Sequence, residues 1–318
     1  MDTAARYARF AAGEARGESA CYEEWANGVA ADAALIGLLE KLPYAKRQPN
    51  LLFAAARYTG IEAGGYTGFR AAVLADWPRL TSIMATHRTQ TNEAGRCAAL
   101  LPLLAALPQP LALLEVGTSA GLCLYPDRYS YHYGERRLHP LAGPAAAVIS
   151  CATTGPVPVP DALPEVVWRA GLDLNPLDVA DADQMRWLMA LVWPEHEARR
   201  QRLAAAIDIA RTDPPLLVTG DLNDKVAELA GQAPPGATLV IFHSSALVYL
   251  ESADQVRFAD TVRRLRGTWI SNEVPGVVAL ADELPPPPDP SRLWSVLARD
   301  GRPVAYSAPH GQSLYWFG

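Results

Sequence analysis

The chain has 318 residues, half of them apolar, and a formal charge of -6 from 28 basic and 34 acidic side chains. That length suits one large or two modest domains with a sizeable core. An acidic balance without a long Lys/Arg run speaks against a nucleic-acid surface. Four scattered cysteines, Cys21, Cys97, Cys123 and Cys151, without C-x-x-C spacing, fit reduced thiols in a cytoplasmic protein and no zinc site. The first residues, MDTAARYARFAAGEARGE, lack the apolar run of a signal peptide. Cys97 to Leu114 is uncharged, but Pro102, Pro108 and Pro110 break it, so it reads as a buried helix plus a strand and not as a membrane span.

Residues 1–108 read as a helical cap or lid domain. Tyr7, Phe10 and Ala11 have helical spacing, as do Leu35, Leu38 and Leu39. Asn50 to Tyr58 is a further helix, and a Gly-rich loop leads into one carrying Phe69, Val73 and Leu74. Then comes the polar segment HRTQTNEAGR, residues 87–96. One reading is a solvated loop in which Thr91 or Asn92 caps the next helix. The other is a polar lip beside a pocket, offering Arg88, Gln90, Asn92, Glu93 and Arg96 to a substrate. For the cluster as a whole the second is preferred.

Residues 109–318 form the second predicted domain, organised around Leu111 to Leu122, LALLEVGTSAGL. The apolar run is a strand buried on both faces, Glu115 sits at its carboxyl end, and Gly117, Ser119 and Gly121 make a tight turn into a helix. A dinucleotide fingerprint fails here, because Ser119 and Leu122 stand where its second and third glycines belong. The letters G-x-S-x-G also spell a hydrolase nucleophile elbow. A turn that needs glycine and binds nothing is the plainest account.

Residues 125–164 interrupt the pattern with alternating aromatics and then a Gly/Pro-rich irregular stretch. Asp127, His132 and His139 match no metal-site spacing. Val166 to Leu174 is the next strand, with Asp173 at its end and Asn175 beyond. Helices carrying Met185 and Leu188, then Leu203 and Ile207, lead to a strand at 216–219 ending in Gly220-Asp221. Thr238 to Phe242 is a strand ending at His243; Ser252 and Gln255 suggest a capping box for the following helix; Thr268 to Ser271 is a strand ending in Asn272-Glu273. PPPPDP at 285–290 reads as a stiff loop, and the last segments as a closing antiparallel hairpin. Strand–helix alternation of this kind predicts an α/β fold: a Rossmann-like, doubly wound, mostly parallel sheet. Glu115, Asp173, Asp221, His243 and Glu273 fall at successive strand ends, where such sheets bind ligands.

Taken together, LLEVGTSAGL, GLDLNP, GDL and FHSSALVYL resemble the successive strand-end motifs of class I S-adenosylmethionine-dependent methyltransferases, over residues 111–318. The resemblance implies S-adenosylmethionine as cofactor and a small-molecule acceptor. It implies that the turn of Gly117, Ser119 and Gly121 cradles the cofactor and Glu115 faces its ammonium. Asp173, with Asn175 beside it, meets the ribose, and Asp221 the adenine. His243 is the candidate base, its plainer reading being a hydrogen-bonded strand-end histidine; Tyr249 and Glu273 line the acceptor side. The whole chain also resembles an uncharacterised bacterial family, domain-of-unknown-function family 2332, through RTQTNEAGR, LLEVGTSAGL, RAGLDLNPLDV, ALVWPE and WISNE. Two alternatives stand beside the transferase. One is a serine hydrolase with Ser119, Asp221 and His243 or His310 in α/β-hydrolase order. The other is a non-catalytic domain that binds an adenosyl ligand or a protein.

Overall fold

The computed structural model describes residues 2–318. Helices come first, and each follows its apolar stripe. α1 (Thr3–Phe10) buries Tyr7 and Phe10 and runs into a wider turn that buries Ala11 and Ala15. α2 (Ala20–Ala31) starts where the Ser19 hydroxyl accepts the Tyr22 N–H, and it buries Tyr22, Trp25, Ala26 and Val29. Asp32 caps α3 (Ala33–Leu39) through the N–H groups of Ala34 and Leu35. α4 (Pro49–Tyr58) has proline in its first turn, where no N–H is missed. α5 (Tyr66–Ala75), α6 (Trp77–Thr86) and α7 (Cys97–Ala105) follow. α7 is buried on all sides, as its uniformly apolar sequence requires.

Strands begin with β1 (Leu111–Val116), β2 (Ser130–Tyr133), β3 (Arg136–Leu138), β4 (Val148–Ser150), β5 (Ala152–Thr154) and β6 (Val166–Asp173). After these come α8 (Ala182–Leu191), α9 (Glu197–Thr212), β7 (Leu216–Thr219), α10 (Leu222–Ala230), β8 (Thr238–Ser244), α11 (Ser252–Arg264) and β9 (Thr268–Glu273). β10 (Ser295–Arg299), β11 (Arg302–Ser307) and β12 (Ser313–Trp316) close the chain. Nine strands make one mixed, mostly parallel sheet, ordered β7-β6-β1-β8-β9-β10-β11-β12-β5. From β7 to β9 every pairing is parallel; β9 to β12 pair antiparallel. β1 is buried at every residue, as expected of a central strand covered on both faces. α10 and α11 cover one face, setting Val226, Leu229, Phe258 and Val262 against Leu114, Val116, Leu172 and Ile241.

Three local expectations are corrected. The turn after β1 runs into one short tight turn, Leu122–Leu124, and not into a helix. The stretch read as irregular, residues 141–160, holds β4, which pairs with β2 in a small three-stranded sheet, and β5, which adds a parallel edge to β12. The capping box at Ser252 does not form: Gln255 Nε2 donates instead to the carbonyls of Leu247 and Leu250, and Glu251 precedes α11 without a side-chain cap.

The chain divides into two compact units, one of residues 1–91 with 182–201, the other of 92–181 with 202–318. The first is centred on an aromatic cluster. Phe53 touches Tyr22, Trp25 and Phe69 at ring separations of 4.9, 5.5 and 5.7 Å. Trp193, contributed by the later segment, packs on Phe10 and Tyr22. Among the described residues no helix is long and apolar enough to cross a membrane.

Candidate functional site

In the second unit the strand order reverses at β1, with β6 on one side and β8 on the other. In open α/β sheets ligands bind at the carboxyl ends of the strands beside such a reversal. The turn after β1 lies at that place. Gly117 has φ 72°, and a Cβ there would stand 2.4 Å from that of Ala246, so glycine lets this turn abut the loop after β8. On the neighbouring strand, a Cβ on Gly171 of β6 would strike the Thr118 side chain at 2.5 Å. With that space clear, the Thr118 hydroxyl donates to Glu115 Oε2 at 2.8 Å.

Asp173 ties the turn to β6. Its Oδ2 accepts the Ser119 N–H at 2.9 Å and its Oδ1 the Asn175 N–H at 2.8 Å. Its carbonyl accepts the Gly220 N–H at 3.0 Å, which brings the end of β7 alongside. Asp221 then caps α10, accepting the Asn223 N–H at 2.8 Å. Glu115, Asp173 and Asp221 thus end three neighbouring strands. Glu115 is 3 % exposed. Burial pushes its carboxyl up to about 8; the Thr118 hydroxyl and the Arg96 charge pull the other way, and the Asp173 charge adds to the rise.

His243 and Glu273 lie on the α10–α11 side of the sheet. His243 is fully buried between Phe258 and Trp269. The Trp269 indole donates to His243 Nε2 at 3.0 Å, so the ring's proton is on Nδ1 and is donated to Glu273 Oε1 at 2.7 Å. That oxygen also accepts the N–H groups of Ala246 and Leu247. Burial would raise the Glu273 pKa, but these bonds, His243 first, hold it below the usual carboxylate range. Both His243 nitrogens are therefore engaged, the arrangement of a strand-end histidine that fixes a loop. Tyr249 is 83 % exposed on the loop after β8.

The polar segment 87–96 divides between the units, Arg88 and Gln90 in the first, Asn92, Glu93 and Arg96 in the second. Arg88 contributes its carbonyl to the Trp187 indole. The capping role expected of Thr91 or Asn92 falls to Glu93, which accepts the Gly95 N–H at 2.9 Å and pairs with Arg202 at 3.0 Å. Asn92 instead accepts the N–H of Leu122, at the far end of the β1 turn.

Residues 4–316 match domain-of-unknown-function family 2332, described as an uncharacterized protein conserved in bacteria. The chain belongs to that family. No curated protein matches it.

In this family 2332 chain, Ser119 adopts φ 53°, and its hydroxyl is buried without a hydrogen-bond partner. His243, occupied on both sides, supplies it no base. His132 and His139 bond to Arg137 and Ser130 respectively, and no metal-holding cluster of His, Cys, Asp or Glu occurs among the described residues. Two features of the family 2332 site lay outside the sequence reading. One is Thr118. The other is Arg169, a 8 % exposed guanidinium on β6 that grips both oxygens of Asp127 at 2.9 and 2.7 Å and lies over the Tyr125 ring. It anchors the segment that follows the turn. The only signal for it was a charge inside the apolar run VVWRAGL.

Proposed function

We propose that this protein is an S-adenosylmethionine-dependent methyltransferase acting on a small-molecule acceptor, built on a Rossmann-like, doubly wound sheet. One observation carries the reading: the acidic residues ending β1, β6 and β7 are linked to one another, through the Ser119 turn and Gly220, where the strand order reverses. In chain order the five parallel strands lie 3-2-1-4-5, as in dinucleotide-binding sheets.

On this reading Asp173 orients the ribose hydroxyls. Each of its carboxylate oxygens accepts one N–H, which fixes the carboxylate at the end of β6. Asp221 keeps one oxygen for the adenine amine beyond its capping bond. Glu115 meets the ammonium, and the backbone of Gly117 to Gly121 forms the cradle. The cofactor would supply a methyl group activated on a sulfonium. The chain's own contribution is alignment, an effect worth roughly 7–11 kcal/mol of barrier in well-positioned reactions. His243 and Glu273 hold the loop after β8, and that loop presents Tyr249 to the acceptor.

Calorimetric titration of the full chain with S-adenosylhomocysteine tests this without knowledge of the acceptor. Binding by the wild type, lost or weakened at least about tenfold in Asp173→Ala, is the expected result. A wild type that binds no adenosyl ligand overturns the reading, and equal binding by Asp173→Ala overturns the residue assignment.

A further inference from the structure

Within the second unit, the irregular segment before α7 fastens three tips of the sheet that lie far apart along the chain. Asn92 Oδ1 accepts the N–H of the buried Leu122 at 2.8 Å, at the end of the turn after β1. Two thiols join the same pair of segments. Cys97 Sγ donates to the Cys123 carbonyl at 3.4 Å, and Cys123 Sγ to the Glu93 carbonyl at 3.3 Å. Arg96 reaches the other way. Its Nη1 donates to the Ser244 carbonyl at the end of β8, and its Nε to the Pro309 carbonyl in the turn between β11 and β12, both at 3.0 Å. Between Asn92 and Arg96, the segment lies backbone to backbone on that last turn. A Cβ on Gly95 would stand 2.5 Å from the His310 carbonyl oxygen, and one on Gly311, whose φ is 75°, would collide with the Gly95 carbonyl.

A loop with no ladder of its own spends its polar groups on the backbone of its neighbours. Here those neighbours are the turn after β1 and the tip of β8, the two places that flank the reversal of strand order. We propose that Asn92 and Arg96 are positioning residues: from one segment seated on Gly95 they hold these two tips at a fixed separation, and they set the affinity of the strand-end site without touching its ligand. As a statement about adenosyl binding this rests on the methyltransferase reading; as a statement about the two tips it does not.

Two measurements on the full-length chain test the two halves. Hydrogen exchange followed by mass spectrometry reports the tips without any ligand. Asn92→Ala removes a bond to the β1 turn, and it is expected to speed exchange in residues 244–250 as well as 117–124. Arg96→Gln removes bonds on the β8 side, and it is expected to speed exchange in 117–124 as well. Asn92→Asp keeps an acceptor for Leu122 and should stay close to the wild type. Variants that each loosen only their own side overturn the clamp.

Calorimetric titration with S-adenosylhomocysteine reports the site. Affinity should fall about tenfold or more in Asn92→Ala and in Gly95→Ala, and recover most of the loss in Asn92→Asp. Gly95→Ala deletes no hydrogen-bonding group and only displaces the segment, so a loss there comes from position and not from a missing contact. Wild-type affinity in both alanine variants overturns the proposal, as does an Asn92→Asp variant as weak as Asn92→Ala. If near-ultraviolet dichroism shows that Gly95→Ala is unfolded, the two Asn92 variants decide. If the wild type binds no adenosyl ligand while exchange responds on both sides, the clamp stands and the methyltransferase reading falls.

Discussion

Glu115 makes the stability of this protein pH-dependent in a calculable direction. Its carboxyl is raised from an ordinary 4.5 to about 8 by burial. Below about pH 4.5 folded and unfolded chains both hold the proton, and the contribution of this group is fully present. Between there and about 8 the unfolded chain ionises and the folded one does not, so stability falls as pH rises, by at most about 1.4 kcal/mol per unit. Glu115→Gln keeps an acceptor for Thr118 and has nothing to ionise. Urea unfolding at pH 5, 6.5 and 8 should therefore show a flatter profile for the variant than for the wild type. A slope unchanged by the substitution would assign the dependence elsewhere. His243 illustrates the opposite case at the same scale: a residue type that invites a catalytic reading, fixed on both nitrogens by Trp269 and Glu273.

At the scale of elements, the turn after β1 depends on clearances that only glycine provides. Gly117→Ala introduces both a left-handed non-glycine residue and a 2.4 Å approach to Ala246. The expected cost is about 1–2 kcal/mol for the backbone plus about 1–3 kcal/mol for overpacking. Adding Ala246→Gly should recover the second part and leave the first, which thermal or urea unfolding of the double variant would resolve. Much of this element was legible beforehand. β1, β6, β8 and β9 are apolar runs with polar tips, a pattern that survives any tertiary context, so Glu115 and Asp173 were found at strand ends. β4 and β5 were not found, because three residues are too few for an alternation, and their partners lie far away in sequence. α2 was passed over because its stripe of Tyr22, Trp25, Ala26 and Val29 is interleaved with Glu23, Glu24 and Asn27. Thr118 was missed for a different reason: its bond to Glu115 exists only once Gly171 has been brought beneath it.

For the whole molecule, the segment 182–201 matters more than its length suggests. It carries Trp193 into the aromatic cluster of the first unit, and α8 packs on α4 there. Glu195 also accepts the N–H of Cys21 at the start of α2. Residues 1–108 therefore lack part of their own core when separated. The fragment should keep helical far-ultraviolet dichroism but lose the near-ultraviolet signal of fixed aromatics, and a peptide of residues 182–201 added in trans should restore it. A fragment with native-like near-ultraviolet dichroism by itself would show the segment to be dispensable. A boundary near residue 108 was expected because the change from helices to strands is visible there. A piece that returns ninety residues later leaves no comparable trace in local pattern.

This return has a consequence for biosynthesis. A nascent chain that has emerged to Thr91 still awaits residues 92–181 before Trp193 can follow. At about 5–20 residues per second the ribosome needs roughly 5–20 s for that stretch. During that interval Phe10 and Tyr22 are on offer to any other apolar surface, so misassembly in the cell should be sensitive to translation speed between codons 92 and 201.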